Sequence, residues 1–180
     1  MTDLHPVPAR VPVAVAVAVA VSVVDGRDVP ATMRALAAMP DADYVDVSVL
    51  PADDATDWSP EEWARAVLES APSARRFAFI PWRVFLGLRL GPWPSPDHVH
   101  GWKIAGRGDD WLRLETSSWL MTCHAVVHVE DGQVSAALFV RCDHPIAALW
   151  WPPLSVGHRR AMPVILRQGA RVLRARSVGA

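Results

Sequence analysis

Cysteine occurs twice in this chain and lysine once, as Lys103. Two cysteines cannot build the disulfide framework of a small secreted domain. The near-absence of lysine beside many arginines reads as a coding bias and not as chemistry. Charge of one sign is also lacking: the net charge is −1 over 180 residues, which argues against a dedicated nucleic-acid binder. Gly-x-Ser-x-Gly, a phosphate loop, Gly-x-Gly-x-x-Gly, His-Glu-x-x-His and Cys-x-x-Cys are all missing. No nucleotide cofactor and no metal site are therefore expected. The longest low-charge apolar run, Val11 to Val24, is too short to span a bilayer comfortably. It resembles a signal-peptide core, but only Arg10 and Asp3 precede it nearby and no Ala-x-Ala site follows it directly, where Asp25-Gly26-Arg27-Asp28 stands instead. Residues 1–28 are read as a low-complexity Val/Ala-rich extension, with an extra edge strand as the alternative, and stable membrane insertion is not expected.

What is present is apolar. Hydrophobic residues make up 51% of the chain, enough for one domain with a real core, assigned here to residues 29–180. The sharpest local signal runs from Ser118 to His144. Asp131-Gly132 suits a two-residue type I′ turn, in which both positions need positive φ. If Glu130 pairs with Gln133, the register of the whole ribbon follows. Met121 then faces Cys142, Cys123 faces Val140, Ala125 faces Leu138 and Val127 faces Ala136. That face is dry, while the other carries Thr122 with Arg141, His124 with Phe139, and His128 with Ser135. Cys123 and Cys142 lie diagonally at about 7–8 Å, beyond comfortable disulfide reach, and are expected as free thiols in a reducing cytoplasm.

The remaining elements follow from periodicity and punctuation. Val29 to Leu36 reads as a short helix or turn. Ala42 to Leu50 alternates as a half-buried strand, with Val45, Val47 and Val49 opposite Tyr44, Asp46 and Ser48. Ser59-Pro60-Glu61-Glu62 opens a helix with a serine cap, a first-turn proline and a glutamate placed for a capping box. A second helical stretch begins at Ser73 and runs through Trp82 to Leu90, with Pro81 inside it. His98 to Ala105 and Trp111 to Thr116 read as strands. Ser155 to about Arg176 reads as a helix, interrupted by Pro163 and Gly169, after a segment containing Trp150-Trp151-Pro152-Pro153. The fold class is α+β: an antiparallel sheet whose apolar face takes the helices, in a helix-grip arrangement around a long C-terminal helix.

This order resembles the START-like (Bet v 1-like, SRPBCC) superfamily and, within it, the bacterial DUF2867 domain family. The likeness rests on Ala42-Asp43-Tyr44-Val45-Asp46, Trp63-Ala64-Arg65-Ala66-Val67, Gly87-Leu88-Arg89-Leu90-Gly91, Gly101-Trp102-Lys103-Ile104, the hairpin, and the stretch from Pro153 to Arg159, across about residues 29–176. It implies an apolar pocket between sheet and helix and carries over no catalytic residue. The wider superfamily includes lipid and hormone carriers and aromatic polyketide cyclases.

Nine tryptophans invite two readings, a ring-filled core or an aromatic-lined ligand cavity. On the second, Trp82, Trp102, Trp119, Met121, Cys123 and Val140 line the pocket and Arg159 or Arg160 pairs with an acidic ligand. His100 shares a face with His98 and Trp102 if that strand is continuous, and it then points inward as a general base; otherwise it is a loop-end histidine in solvent. His158 opens the C-terminal helix near the pocket mouth and is the second candidate for moving a proton, against a solvated basic turn. Glu115 and Asp143 near His144 are either an acid/base pair or an ordinary surface turn. Cys123 in an apolar setting is a poor nucleophile. The expected partner is a hydrophobic small molecule, with room for a homodimer. The expected function is binding of that molecule, or cofactor-independent cyclase-like chemistry on it.

Overall fold

In the computed structural model, residues 22–25, 28–69 and 81–178 are described. The elements in chain order are β1 (Ser22–Asp25), α1 (Ala31–Ala37), β2 (Tyr44–Pro51), α2 (Pro60–Glu69), β3 (His98–Val99), β4 (Trp102–Arg107), β5 (Trp111–Ser117), β6 (Met121–Glu130), β7 (Gln133–Cys142) and α3 (Pro145–Val178). Among the described residues, seven strands form one antiparallel sheet in the order β1-β2-β7-β6-β5-β4-β3. The fold is thus α+β, an antiparallel sheet with a long C-terminal helix, and helix-grip-like in arrangement.

The β6–β7 ribbon has the register expected from its turn, from Met121 opposite Cys142 to Glu130 opposite Gln133. Gly132 adopts φ +78°, which its missing Cβ makes inexpensive, but Asp131 does not take positive φ, so the register forms as expected without the type I′ turn. Cys123, Val127, Val129, Val134, Ala136, Leu138 and Val140 form the dry face and pack with Trp63 and Val67 of α2 and Leu166, Ala170 and Leu173 of α3. The helices do not all lie on this face, however. Val126, Ala137 and Phe139 break the polar character of the opposite face and join Val45 and Val47 in a second apolar strip, which Met33 and Ala37 of α1 cover. His124 and Arg113 hold that helix down by donating to its last carbonyls, His124 Nδ1 to Ala37 O at 2.7 Å and Arg113 Nη1 to Leu36 O at 3.2 Å.

This second layer changes β2. Its valines Val45 and Val47 face α1, so Tyr44, Asp46 and Ser48 turn toward α3. The strand is internal to the sheet, second from its edge, with β1 paired along its outer side, Ser22 opposite Val49 through Asp25 opposite Asp46. The sheet therefore begins within the segment read from sequence as an extension; residues 1–21 lie outside the described residues.

Two boundaries also differ from expectation. The helix expected from Ser73 to Leu90 falls partly on residues 70–80, outside the described residues. Beyond them only one wide turn, Pro81–Phe85, is helical. Gly87 at φ +60° then breaks the helix, and Arg89 and Gly91 donate their amides to Ser117 O and Gly101 O. At the other end, α3 starts ten residues before the expected Ser155. Pro145 occupies the first turn, where no amide partner is needed, and His144 caps it by accepting from Ile146 N at 3.2 Å on Nδ1 and from Ala147 N at 2.9 Å on its carbonyl. Pro152 and Pro153 do not end the helix because they sit on its exposed side, where water can reach the carbonyls that lose an amide partner.

The capping box of α2 forms as read. Glu62 N donates to Ser59 Oγ at 3.3 Å and Ser59 N to Glu62 Oε2 at 2.8 Å, which holds the Glu62 carboxyl below its ordinary range. The helix crosses α3 at Gly169, where an added Cβ would lie 2.7 Å from Val67 Cγ2 and 3.2 Å from Val67 Cα. Gly157, twelve residues earlier on α3 and on the cavity wall, has no heavy atom within 4 Å of such a Cβ. Opposite outcomes are expected for the same substitution. Gly157→Ala stabilises by about 0.5–1 kcal/mol through helix propensity. Gly169→Ala destabilises by roughly 1–3 kcal/mol because two helix backbones must separate. Urea unfolding of the two variants checks the pair.

Candidate functional site

The dry face of the sheet is not fully filled. Between it, α2, α3 and the segment around Pro81–Leu88 lies a cavity of about 450 Å³. Its wall is overwhelmingly apolar, with Val67 from α2, Leu86 and Leu88 from the connecting segment, Ala125, Val127, Ala136 and Leu138 from the ribbon, and Leu154, Met162 and Ile165 from α3. The opening exists because the ribbon presents alanines where β6 and β7 face the helix, and because α3 has a glycine at position 157. Trp82, Trp102 and Trp151 supply its aromatic surface. The indole N–H groups of Trp102 and Trp151 are buried and have no acceptor among the described residues. A buried donor left unpaired costs about 1–3 kcal/mol.

The end formed by Trp82 and Trp102 is a stack of edge-to-face rings. Trp82 meets Trp102 at 5.6 Å and His100 at 5.9 Å, and Trp93 meets His100 at 5.8 Å. This places His100 behind Trp82, 2% exposed and absent from the cavity wall. The continuous strand expected from His98 to Ala105 is broken here. His100 and Gly101 take φ +49° and +84° and make a two-residue turn between β3 and β4. The face shared by His98, His100 and Trp102 therefore does not exist. His100 is neither a base in the cavity nor a solvated loop histidine. Its backbone N–H donates to Glu69 Oε1 at 2.9 Å, the same oxygen that accepts from Trp93 Nε1, so the turn is pinned to α2.

At the α3 side the wall carries one titratable group, His158. Its Nε2 stands 3.5 Å from Asp46 Oδ1. Asp46 is 2% exposed, and its other oxygen accepts from Tyr44 Oη at 2.9 Å. Arg159 Nε donates to the same Tyr44 oxygen at 2.9 Å, with its guanidinium 5.1 Å from the ring centre. Burial pushes the Tyr44 hydroxyl up to about 12, so it stays protonated and remains a donor to Asp46. Trp151 packs edge-on to Tyr44 at 5.3 Å, which joins this polar cluster to the cavity wall.

The remaining candidates are distributed as follows. Trp82, Trp102, Cys123 and His158 line the cavity. Met121 and Val140 share the dry face but are packed solid at its end, fully buried and outside the wall. Trp119 does not line the pocket: it is 61% exposed and rests on His144 at 5.2 Å. It sits at the apex of the turn joining β5 and β6, where Ser118 Oγ accepts from both Leu120 N and Met121 N. Arg159 also lies outside the wall, spending its Nε on Tyr44. The Cys123 thiol is raised to about 12, chiefly by burial, which removes it as a nucleophile at neutral pH. Both cysteines are free. Glu115 pairs with Arg113, and Asp143 with Thr122 and Arg141, on the face away from the cavity.

Asp46, Tyr44 and Trp151 are the site residues that sequence reasoning missed. The alternation of β2 grouped Tyr44 with Asp46, and an acid between valines in a strand was the available signal. It was not decisive, because the valines alone do not say which face meets the cavity. No helix among the described residues is long and apolar enough to cross a membrane, and no group of three or more potential metal ligands occurs among them. Family models, curated proteins and solved structures give no match to the chain.

Proposed function

We propose that this protein binds a hydrophobic small molecule in the cavity between its sheet and α3, as a START-like domain of the DUF2867 type acting in the cytoplasm. The observation that carries the reading is the cavity itself: about 450 Å³ of apolar, tryptophan-flanked space in a sheet-and-helix fold. Spaces of this size and lining are where proteins hold small ligands. The element order supports the family reading, and the two free cysteines suit a reducing compartment. Titration with a panel of apolar acids, phenols and polycyclic hydrocarbons tests the binding. Saturable quenching of tryptophan emission by at least one class is expected, since three tryptophans border the space. A panel that leaves the emission unchanged throughout would refute the reading.

A second reading, a polyketide cyclase-like enzyme, is favoured by one specific observation: a histidine on the cavity wall backed by a buried carboxylate. Such a pair can hold an imidazole in one tautomer and move a proton. The cavity would fold a flexible substrate and His158 would act on it. Turnover that survives His158→Ala would exclude this chemistry.

A further inference from the structure

We infer that the cavity selects an apolar molecule carrying a hydroxyl group, held by a hydrogen bond from that hydroxyl to Nδ1 of His158. This rests on the binding reading above and specifies its ligand class. Three observations converge. Besides His158 the apolar wall carries the Cys123 thiol and the indole N–H groups of Trp102 and Trp151; an indole only donates and a thiol accepts weakly, so His158 is the one strong side-chain acceptor that the lining offers a ligand hydroxyl. His158 Nε2 stands 3.5 Å from Asp46 Oδ1, so in the neutral imidazole the tautomer that turns its N–H toward that carboxylate carries the proton on Nε2, and Nδ1 is then the acceptor. No hydrogen bond to Nδ1 from any other described residue is present. Asp46 is itself fixed from its other side by Tyr44, which Arg159 orients in turn. The acceptor is therefore positioned before a ligand arrives.

A neutral hydroxyl matches this site better than a carboxylate does. An acceptor lone pair needs a donor, and a carboxylate beside His158 would also place a second negative charge near Asp46. Arg159 is engaged with Tyr44 and is not on the wall.

The test uses a matched pair of probes, 1-naphthol and 1-methylnaphthalene, which differ in a hydroxyl against a methyl. Dissociation constants are measured at neutral pH for the full chain, His158→Phe and Asp46→Asn. In the wild type the hydroxyl recovers affinity that its lower hydrophobicity would otherwise lose. In His158→Phe the naphthol-to-methylnaphthalene affinity ratio is expected to fall about five- to tenfold, the scale of one hydrogen bond with its buried partner. Asp46→Asn should lower the ratio by a smaller factor in the same direction, a change that mere loosening of the fold would not produce. His158→Leu gives the same comparison if the phenyl ring itself fills the cavity. An unchanged ratio in these variants overturns the hydroxyl assignment while leaving the cavity reading intact. Failure of both probes to bind the wild type overturns the cavity reading, and this assignment with it.

Discussion

Phenylalanine at both Ala125 and Ala136 is expected to abolish binding of apolar probes while leaving the protein folded. Both alanines belong to the cavity wall, on neighbouring strands. Ala125 faces Leu138 and Ala136 faces Val127, so the two alanines are diagonal neighbours at about 7–8 Å, close enough for two rings to touch. Aromatic residues suit strands, so the backbone offers no objection. The usual cost of enlarging a core side chain arises because no room exists. Here room exists, and each ring removed from water contributes about 1.5–3 kcal/mol. Affinity should fall by at least about 100-fold, a loss of about 2.8 kcal/mol, while the melting temperature holds or rises. Loss of structure in the double variant would mean that the space is not there. Unchanged binding would mean that the ligand sits elsewhere.

Trp63→Ala is expected to have the largest effect on stability. Trp63 is 0% exposed and central to the packing of α2 on the sheet. Its Nε1 donates to Ala55 O at 2.9 Å, and Trp58 meets it edge-on at 6.0 Å. Truncating such a residue costs about 3–5 kcal/mol, and the orphaned Ala55 carbonyl adds to that. Domains of this size are held by about 5–15 kcal/mol in total, so the variant should be marginal or unfolded at room temperature. Trp119→Ala removes an equally large ring from a position 61% exposed, and a change within about 0.5 kcal/mol is expected. Denaturant titration of both variants separates a ring that holds the core from one that decorates a turn.

The contrast between these tryptophans shows what the sequence could and could not say. The β6–β7 ribbon was legible to the residue, because a two-residue period and an Asp-Gly turn together admit one register. Ser59 to Glu62 was legible because a capping box is local chemistry. Strand alternation turned Trp102 and Cys123 inward, the aromatic-cavity reading named Trp82, and His158 was set near the pocket mouth; all four line the cavity. Trp119 was misplaced because it was assigned to the pocket on its ring character alone, whereas Ser118 turns the chain there and leaves the ring exposed. His100 was misplaced for a related reason: a His-Gly turn lies inside a run that alternates like a strand. The start of α3 was hidden by Pro152 and Pro153, whose effect depends on facing solvent. Asp46 was hidden by α1, since only the packed structure shows that both faces of β2 are covered and which of them turns toward α3 and the cavity.

The central claim is that an apolar molecule enters the space between the sheet and α3. The most direct measurement is the indole N–H region of a ¹H–¹⁵N spectrum, where the nine tryptophans report separately. On titration with 1-methylnaphthalene, the signals of Trp82, Trp102 and Trp151 should move together and saturate with one dissociation constant, while those of exposed Trp119 and Trp150 stay in place. Signals that move first at Trp119 and Trp150, with the three wall tryptophans unchanged, would place the molecule on the surface and contradict the account.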